Sequence, residues 1–207
     1  MSDAMSEKAV KSRREEYADA TRAALLDAAQ ETFVEEGFQQ ASVEAIARRA
    51  RVTRGAFYHH FDDKQALFEA LVIALQADAA DRVAKEAAGV GEPFARLQAG
   101  AKAFLKVCME PAYRRLVIQD APAVLGSARC REIGQTYAFG LLGRALSGLK
   151  TAGLIDIENE ALAGRLVGAM ICEASLLLED AKDGEELERQ ALEIVGRAFA
   201  ALKPRKA

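Results

Sequence analysis

The sequence predicts an all-α fold: a small N-terminal group of three helices containing a helix-turn-helix, followed by a larger helical C-terminal part. Three observations predict it. The composition is 51% hydrophobic with no Trp and only four Pro, and Val and Ile are modest beside Ala and Leu, which favours long helices over many short strands. Apolar residues recur at helical spacing through most of the 207 residues. The stretch Ser42 to Phe61 reads as two short helices joined by a tight turn, and the rest of the chain is organised around it.

Residues 1–18 are polar and are expected to form a flexible arm. Its Lys11, Arg13 and Arg14 either lie along DNA phosphates or are simply solvated, and translation starts at Met1 or Met5. A first helix is expected over 20–36, with Leu26, Ala29 and Phe33 on one face; Gly37 is a plausible left-handed stop with Phe38 packed after it. Val43, Ile46 and Ala47 give the second helix its apolar stripe. Val52, Ala56 and Phe57 supply the buried side of the turn and third helix. Ser42 and Thr53 each precede a helical run, where their hydroxyls can accept from orphan N–H groups. Thr53, Arg54, Gly55, Tyr58, His59 and His60 are then left for the outward face of the third helix. A helix surface with Arg, Tyr and His but no acid suits phosphates and base edges.

Ile46-Ala47, Val52-Thr53, Phe57-Tyr58-x-x-Phe61 and Lys64-x-x-Leu67, extended back through Ala24, Ala28, Phe33 and Gly37-Phe38, resemble the DNA-binding domain of the TetR family of transcriptional repressors. The resemblance covers roughly the first third of the chain. It implies a homodimeric, ligand-responsive repressor on a palindromic double-stranded DNA operator, released by a small-molecule effector that shifts the long fourth helix. The site residues expected to meet DNA are Ser42, Val43, Arg51, Thr53, Arg54, Gly55, Tyr58, His59, His60 and Lys64. Arg54 is the candidate for reading guanine N7 and O6; Tyr58 and His59 suit phosphate or a thymine methyl, and His60 either meets the backbone or packs at the helix end. Ser42 and Lys64 position the helix on phosphates, the Lys64 ammonium acting with the positive end of its own helix. Arg51 departs from the family, which usually carries Gly at that turn. It is either a tolerated turn residue or an added phosphate contact, and a left-handed backbone there costs about 1 kcal/mol relative to Gly.

Asp62, with Gln65 three residues later, is the expected cap of a fourth helix reaching Ala88. It is long enough to link head and remainder, giving domains 19–64 (helix-turn-helix, DNA-binding) and 65–207 (effector-binding and dimerisation). Gly89 to Pro93 ends it. Helices are expected over 93–109, around 113–120, over 127–150, 159–182 and 185–202. Gly134, Gly140, Gly143 and Gly148 in the 127–150 helix point to close helix approach, bends or room for a ligand. Arg114 and Arg115, with Asp120, form an ion pair or hold an anion. The 159–182 helix is apolar on two sides, Leu162, Leu166, Ala169, Met170 and Leu177 on one and Val167, Ile171, Ala174 and Leu178 on another. It therefore wants a core behind it and a partner ahead, and with the 185–202 helix it suits an antiparallel four-helix dimer interface.

Candidate effector contacts are Phe104, Cys108, Tyr113, Tyr137, Phe139, Met170 and Glu173, each with ordinary core packing as its alternative. Glu173, a carboxylate on an apolar helix, needs a partner: a cationic ligand, an Arg, or exposure to water.

The net charge of −3 does not advertise nucleic-acid binding, but residues 42–64 carry five basic against three acidic side chains. Cys108, Cys130 and Cys172 show no metal or catalytic spacing, so neither metal nor cofactor is expected. Control by transcriptional activation or by cysteine oxidation stays open. An all-α enzyme is the remote alternative: the two His are adjacent, and no nucleophile–base pair, phosphate-binding Gly loop or paired acids at metal spacing occurs. An adaptor binding another protein is a third reading. No apolar run is expected to span a bilayer, and the start of the chain lacks the apolar core of a signal peptide, so no membrane partner and a cytoplasmic location are expected.

Overall fold

The computed structural model describes residues 12–179 and 181–204. Met1, Met5 and Lys11 at one end, and Arg205 and Lys206 at the other, lie outside the described residues. Ten α-helices and one π-helical segment account for the described secondary structure. The chain divides into two compact units, Met1–Phe68 and Glu69–Ala207.

The first unit is a three-helix head with α1 (Arg13–Gln40), α2 (Val43–Arg49) and α3 (Arg54–His60). Helix α1 starts before the expected residue 20, because Ser12 and Glu15 form a reciprocal capping box. Its helical geometry is interrupted at Gly37, whose φ of 77° and ψ of 161° suit only glycine. Leu25, Phe33, Ile46, Phe57, Leu67 and Phe68 are fully buried in this unit. Phe33, Phe38 and Phe68 meet pairwise with ring centroids 5.2–5.7 Å apart. Burying a Phe contributes roughly 1.5–3 kcal/mol, so Phe57 alone gives short α3 a firm anchor.

Helix α4 (Lys64–Ala88) is a single element crossing the division between the units. Its cap is Asp63, one residue beyond the expected Asp62: Asp63 Oδ1 accepts from the Ala66 N–H at 2.7 Å. The second unit continues with α5 (Pro93–Met109), the π-helical segment Tyr113–Asp120, and α6 (Ala121–Val124). It ends with α7 (Ser127–Thr136), α8 (Ala138–Thr151), α9 (Glu160–Glu179) and α10 (Gly184–Ala200). Helix α9 packs against α5, α8 and α10.

The single helix expected over 127–150 is in fact two, broken at Tyr137, where φ is −108° and ψ −103°. Glycines of this segment and of α9 accommodate neighbours. A Cβ on Gly134 would come within 2.9 Å of the Phe139 ring, and one on Gly168 of α9 within 2.4 Å. Phe139 is therefore seated between two glycines. Gly143 lies so near Gly164 that a Cβ on the latter would meet the Gly143 nitrogen at 3.0 Å, so α8 and α9 touch backbone to backbone.

By length and composition α9 is apolar enough to cross a bilayer, against the sequence expectation. Here it is part of the helical bundle, with Val167, Ile171, Ser175 and Leu178 buried in the unit's core. Its other side leaves Leu162, Leu166, Met170 and Leu177 exposed.

Candidate nucleic-acid interface and effector chamber

The turn between α2 and α3 is built by backbone bonds. The Arg51 N–H donates to the Arg48 carbonyl at 3.1 Å, and the Val52 N–H to that of Ala47 at 3.0 Å. This is the paired bonding of a Schellman end, with Arg51 at the left-handed position. Arg51 has φ of 56°, and it is the one positive-φ residue other than glycine among the described residues. Ser42 Oγ accepts from the Ala45 N–H and Thr53 Oγ1 from the Ala56 N–H, each at 3.1 Å. Both helices are thus capped by the hydroxyls the sequence singled out, and each hydroxyl hydrogen remains free to donate.

Ser42, Arg51, Thr53, Arg54, Gly55, Tyr58 and His59 are exposed, while Val43, His60 and Lys64 are half-buried. Arg54 is not loose: its Nη1 meets Glu44 Oε1 at 2.8 Å, and its guanidinium lies over the Tyr58 ring, 5.5 Å from the centroid. The Tyr58 hydroxyl, then Glu44, raise its pKa further above the usual value. Glu44 was not anticipated as the residue that sets Arg54, since ten residues of sequence separate them. His60 leans inward beside Phe61, and burial, then His59 and Arg22, lower its imidazole pKa.

Lys64 is engaged within the head. Its ammonium donates to the carbonyls of Phe38 at 2.6 Å, Ala41 at 2.8 Å and Gln39 at 3.3 Å, and sits 4.5 Å from the Phe38 ring centroid. Three acceptors use all three N–H bonds of an ammonium. Lys64 therefore ties down the end of α1. Arg49 is likewise committed to α1, with Nη2 2.6 Å from Glu35 Oε2 and Nη1 3.3 Å from Thr32 Oγ1. Among the described residues, Arg48 and Arg51 form no ion pair and are the uncommitted cations of the turn.

The second unit contains a chamber of about 560 Å³. Leu97, Ala101, Phe104, Ile171 and Phe199 form its depth and Phe139 one wall. Phe104 and Phe139 stand edge to face, 6.3 Å between centroids. These two are the expected contacts that line the chamber; the other five do not. Tyr113 is buried and donates its hydroxyl to Gln76 Oε1 at 3.1 Å, tying the π-helical segment to α4. Tyr137 stands at the break between α7 and α8. Met170 and Glu173 are exposed on α9, so Glu173 finds its partner in water. Cys108 of α5 is buried and Cys172 of α9 is half-buried, and the packing of α5 on α9 brings the two free thiols close together. Burial pushes the Cys108 pKa up, while the neighbouring Cys108 lowers that of Cys172. Sequence spacing hid this pair, because only the packing of α5 on α9 brings it together. Arg115 pairs with Asp120 at 3.0 Å and Arg114 with Glu179 at 2.8 Å, so both are structural.

Fold and head together define a helix-turn-helix protein with a helical second unit enclosing an apolar chamber. The model of bacterial regulatory proteins of the tetR family matches residues 25–71, and the tetracyclin repressor-like C-terminal domain matches residues 94–202. The chain belongs to the TetR family. It is 38% identical over 73 residues to the HTH-type transcriptional regulator UidR of Escherichia coli strain K12, a match covering 35% of this chain and 37% of UidR. It is 46% identical over 52 residues to the HTH-type transcriptional repressor BepR of Brucella suis, 25% of each chain. The crystal structure of a TetR-family transcriptional regulator from Pectobacterium atrosepticum superposes with a TM-score of 0.73 at 26% identity, over 95% of this chain and all of that one.

Proposed function

We propose that this chain is a DNA-binding transcriptional regulator that acts as a homodimer, most simply a repressor released from a palindromic operator when a small molecule enters the chamber. The observation that carries the reading is the outer face of α3. Thr53, Arg54, Tyr58 and His59 stand exposed on a helix whose opposite side is anchored by fully buried Phe57. Arg54 reads guanine once it exchanges Glu44 for the base edge, and Ser42 and Arg51 hold phosphates. Two such helices in one dimer enter successive major grooves.

The route from chamber to head runs along α4. Val83, Ala84 and Ala87 of this helix line the chamber. Arg129 of α7 holds Glu69 of the same helix at 2.6 Å, and Lys64 at its start holds the α1 carbonyls. An occupant changes DNA affinity only through its difference in affinity for the two arrangements of this helix. A second mode of control is oxidation of Cys108 and Cys172, the two thiols that the packing of α5 on α9 brings together. There a hydroperoxide would take two electrons and two protons, leaving a disulfide, an alcohol and water.

Selection of bound fragments from a random DNA pool tests the reading. The expected product is a palindrome with half-site centres about 34–36 Å apart. On that site Arg54→Ala should cost about 1–3 kcal/mol, and far less on unrelated DNA. An unselected pool, or equal losses on both DNAs, overturns the assignment.

A further inference from the structure

The lining of the chamber is one-sided in its chemistry. Its side chains are Ala, Val, Leu, Ile, Phe, Pro and Gly, with two exceptions, Arg96 of α5 and Arg144 of α8. No hydroxyl, amide, imidazole or carboxylate side chain lines it. The lining therefore offers side-chain hydrogen-bond donors and positive charge, but no side-chain acceptor.

Neither guanidinium is neutralised. Arg96 donates Nε to the Val90 carbonyl at 2.8 Å and Nη2 to the Gly91 carbonyl at 3.4 Å, which leaves three of its five N–H bonds open. Among the described residues Arg144 forms no ion pair and no hydrogen bond. It lies back along its own helix, its Nη1 3.2 Å from where a Cβ on Gly140 would stand. Nearby acids are already engaged: Glu92 caps α5 through the Ala95 N–H at 2.6 Å, and Glu160 holds Lys150 at 2.9 Å. Both arginines are exposed, so water solvates them when the chamber is empty, and neither carries the penalty of an unpaired buried charge.

We infer that the chamber takes an amphipathic organic acid, an aliphatic or aryl carboxylate, with its apolar body against Leu97, Phe104, Phe139 and Ile171 and its carboxylate met by Arg96 and Arg144. The inference rests on the reading of the chamber as the effector site and gives that effector a class. Organic cations are disfavoured by both arginines. The volume lies within the ordinary range for small-molecule pockets, roughly 300–1,000 Å³. Within an aliphatic series each added methylene tightens binding about fourfold until the chamber is full.

The test is calorimetric titration of the full chain with two matched pairs, decanoate against decan-1-ol and 2-naphthoate against 2-naphthol. At least one acid should bind about tenfold or more tightly than its alcohol. Arg96→Gln and Arg144→Gln should each weaken acid binding more than alcohol binding and so reduce that preference, and Arg96→Lys should keep part of it. Gly148→Leu sends a side chain from an open position into the chamber and should weaken acid and alcohol alike. Equal binding of acid and alcohol in both pairs overturns the inference. So does a preference that survives Arg96→Gln/Arg144→Gln, or failure of all four compounds to bind. Retardation of the selected operator separates the two levels. An arginine-dependent acid that binds without moving DNA overturns the effector reading and leaves the ligand class standing. Release of DNA equally by acid and alcohol does the reverse.

Discussion

At the scale of single residues, Arg51 and His60 each carry a measurable conflict. Arg51 occupies a left-handed position that glycine adopts without a steric cost. Arg51→Gly should therefore raise the stability of the head by about 1 kcal/mol, read from denaturant midpoints. The same variant decides whether the arginine also serves DNA, because loss of one phosphate contact lowers the slope of log K against log salt by about 1. A more stable variant with an unchanged slope would leave Arg51 as a tolerated turn residue only. For His60, burial beside His59 and Arg22 lowers the folded pKa below its ordinary 6.5. The unfolded chain then takes up its proton first as pH falls. The stability this group contributes is present above 6.5 and is lost as pH drops through the folded pKa. Urea midpoints at pH 7.5 and 5.5 should fall further for the wild-type chain than for His60→Asn. Identical falls would show that His60 does not couple folding to pH. Local patterns made the hydroxyl caps at Ser42 and Thr53 legible in the sequence. The hold that α1 has on Lys64 was not legible, because its acceptors lie 23 to 26 residues away, at the end of another helix.

At the scale of elements, glycine in a helix means opposite things at two sites. Gly148 of α8 faces open space: a Cβ there meets nothing within 4 Å. Gly168 of α9 is pressed against Phe139, where a Cβ would stand 2.4 Å from the ring. Gly148→Ala should stabilise the second unit by up to about 1 kcal/mol through helix propensity alone. Gly168→Ala should destabilise it by about 1–3 kcal/mol through overpacking, since Gly134 closes the other side of the ring. Chemical denaturation of the two variants side by side should give shifts of opposite sign; shifts of the same sign would mean that Phe139 moves freely. Sequence periodicity gave the helices around these glycines but could not assign them separate roles. It also joined α7 to α8, because neither proline nor a change of period marks Tyr137. The chamber was legible only as an apolar region. Phe104 and Phe139 lie on faces that any core would use, whereas Arg96 and Arg144 look like ordinary solvated charges until α5 and α8 come together.

At the scale of the whole molecule, the question is what covers the outer side of α9. Leu162, Leu166 and Leu177 are 52–58% exposed, Met170 is 37% exposed, and Ile194 of α10 is 57% exposed. Their spacing on α9 makes one continuous stripe, and the opposite side of the helix is already in the core through Val167, Ile171 and Leu178. The proposed homodimer would cover this stripe by pairing α9 and α10 with their equivalents in a second copy of the chain. Leu166→Glu places a charge in the middle of the stripe, where a buried unpaired carboxylate is costly. Sedimentation should then show the wild-type chain as a dimer and the variant as a monomer at the same concentration. Binding to the selected palindrome should fall by about 10²–10⁴, because the second head is no longer held near the first. Leu154→Glu is the control, since Leu154 is also exposed but lines the chamber. It should leave assembly intact and disturb effector binding. If Leu166→Glu stays dimeric and binds the palindrome normally, the stripe has another partner and the two heads are joined elsewhere.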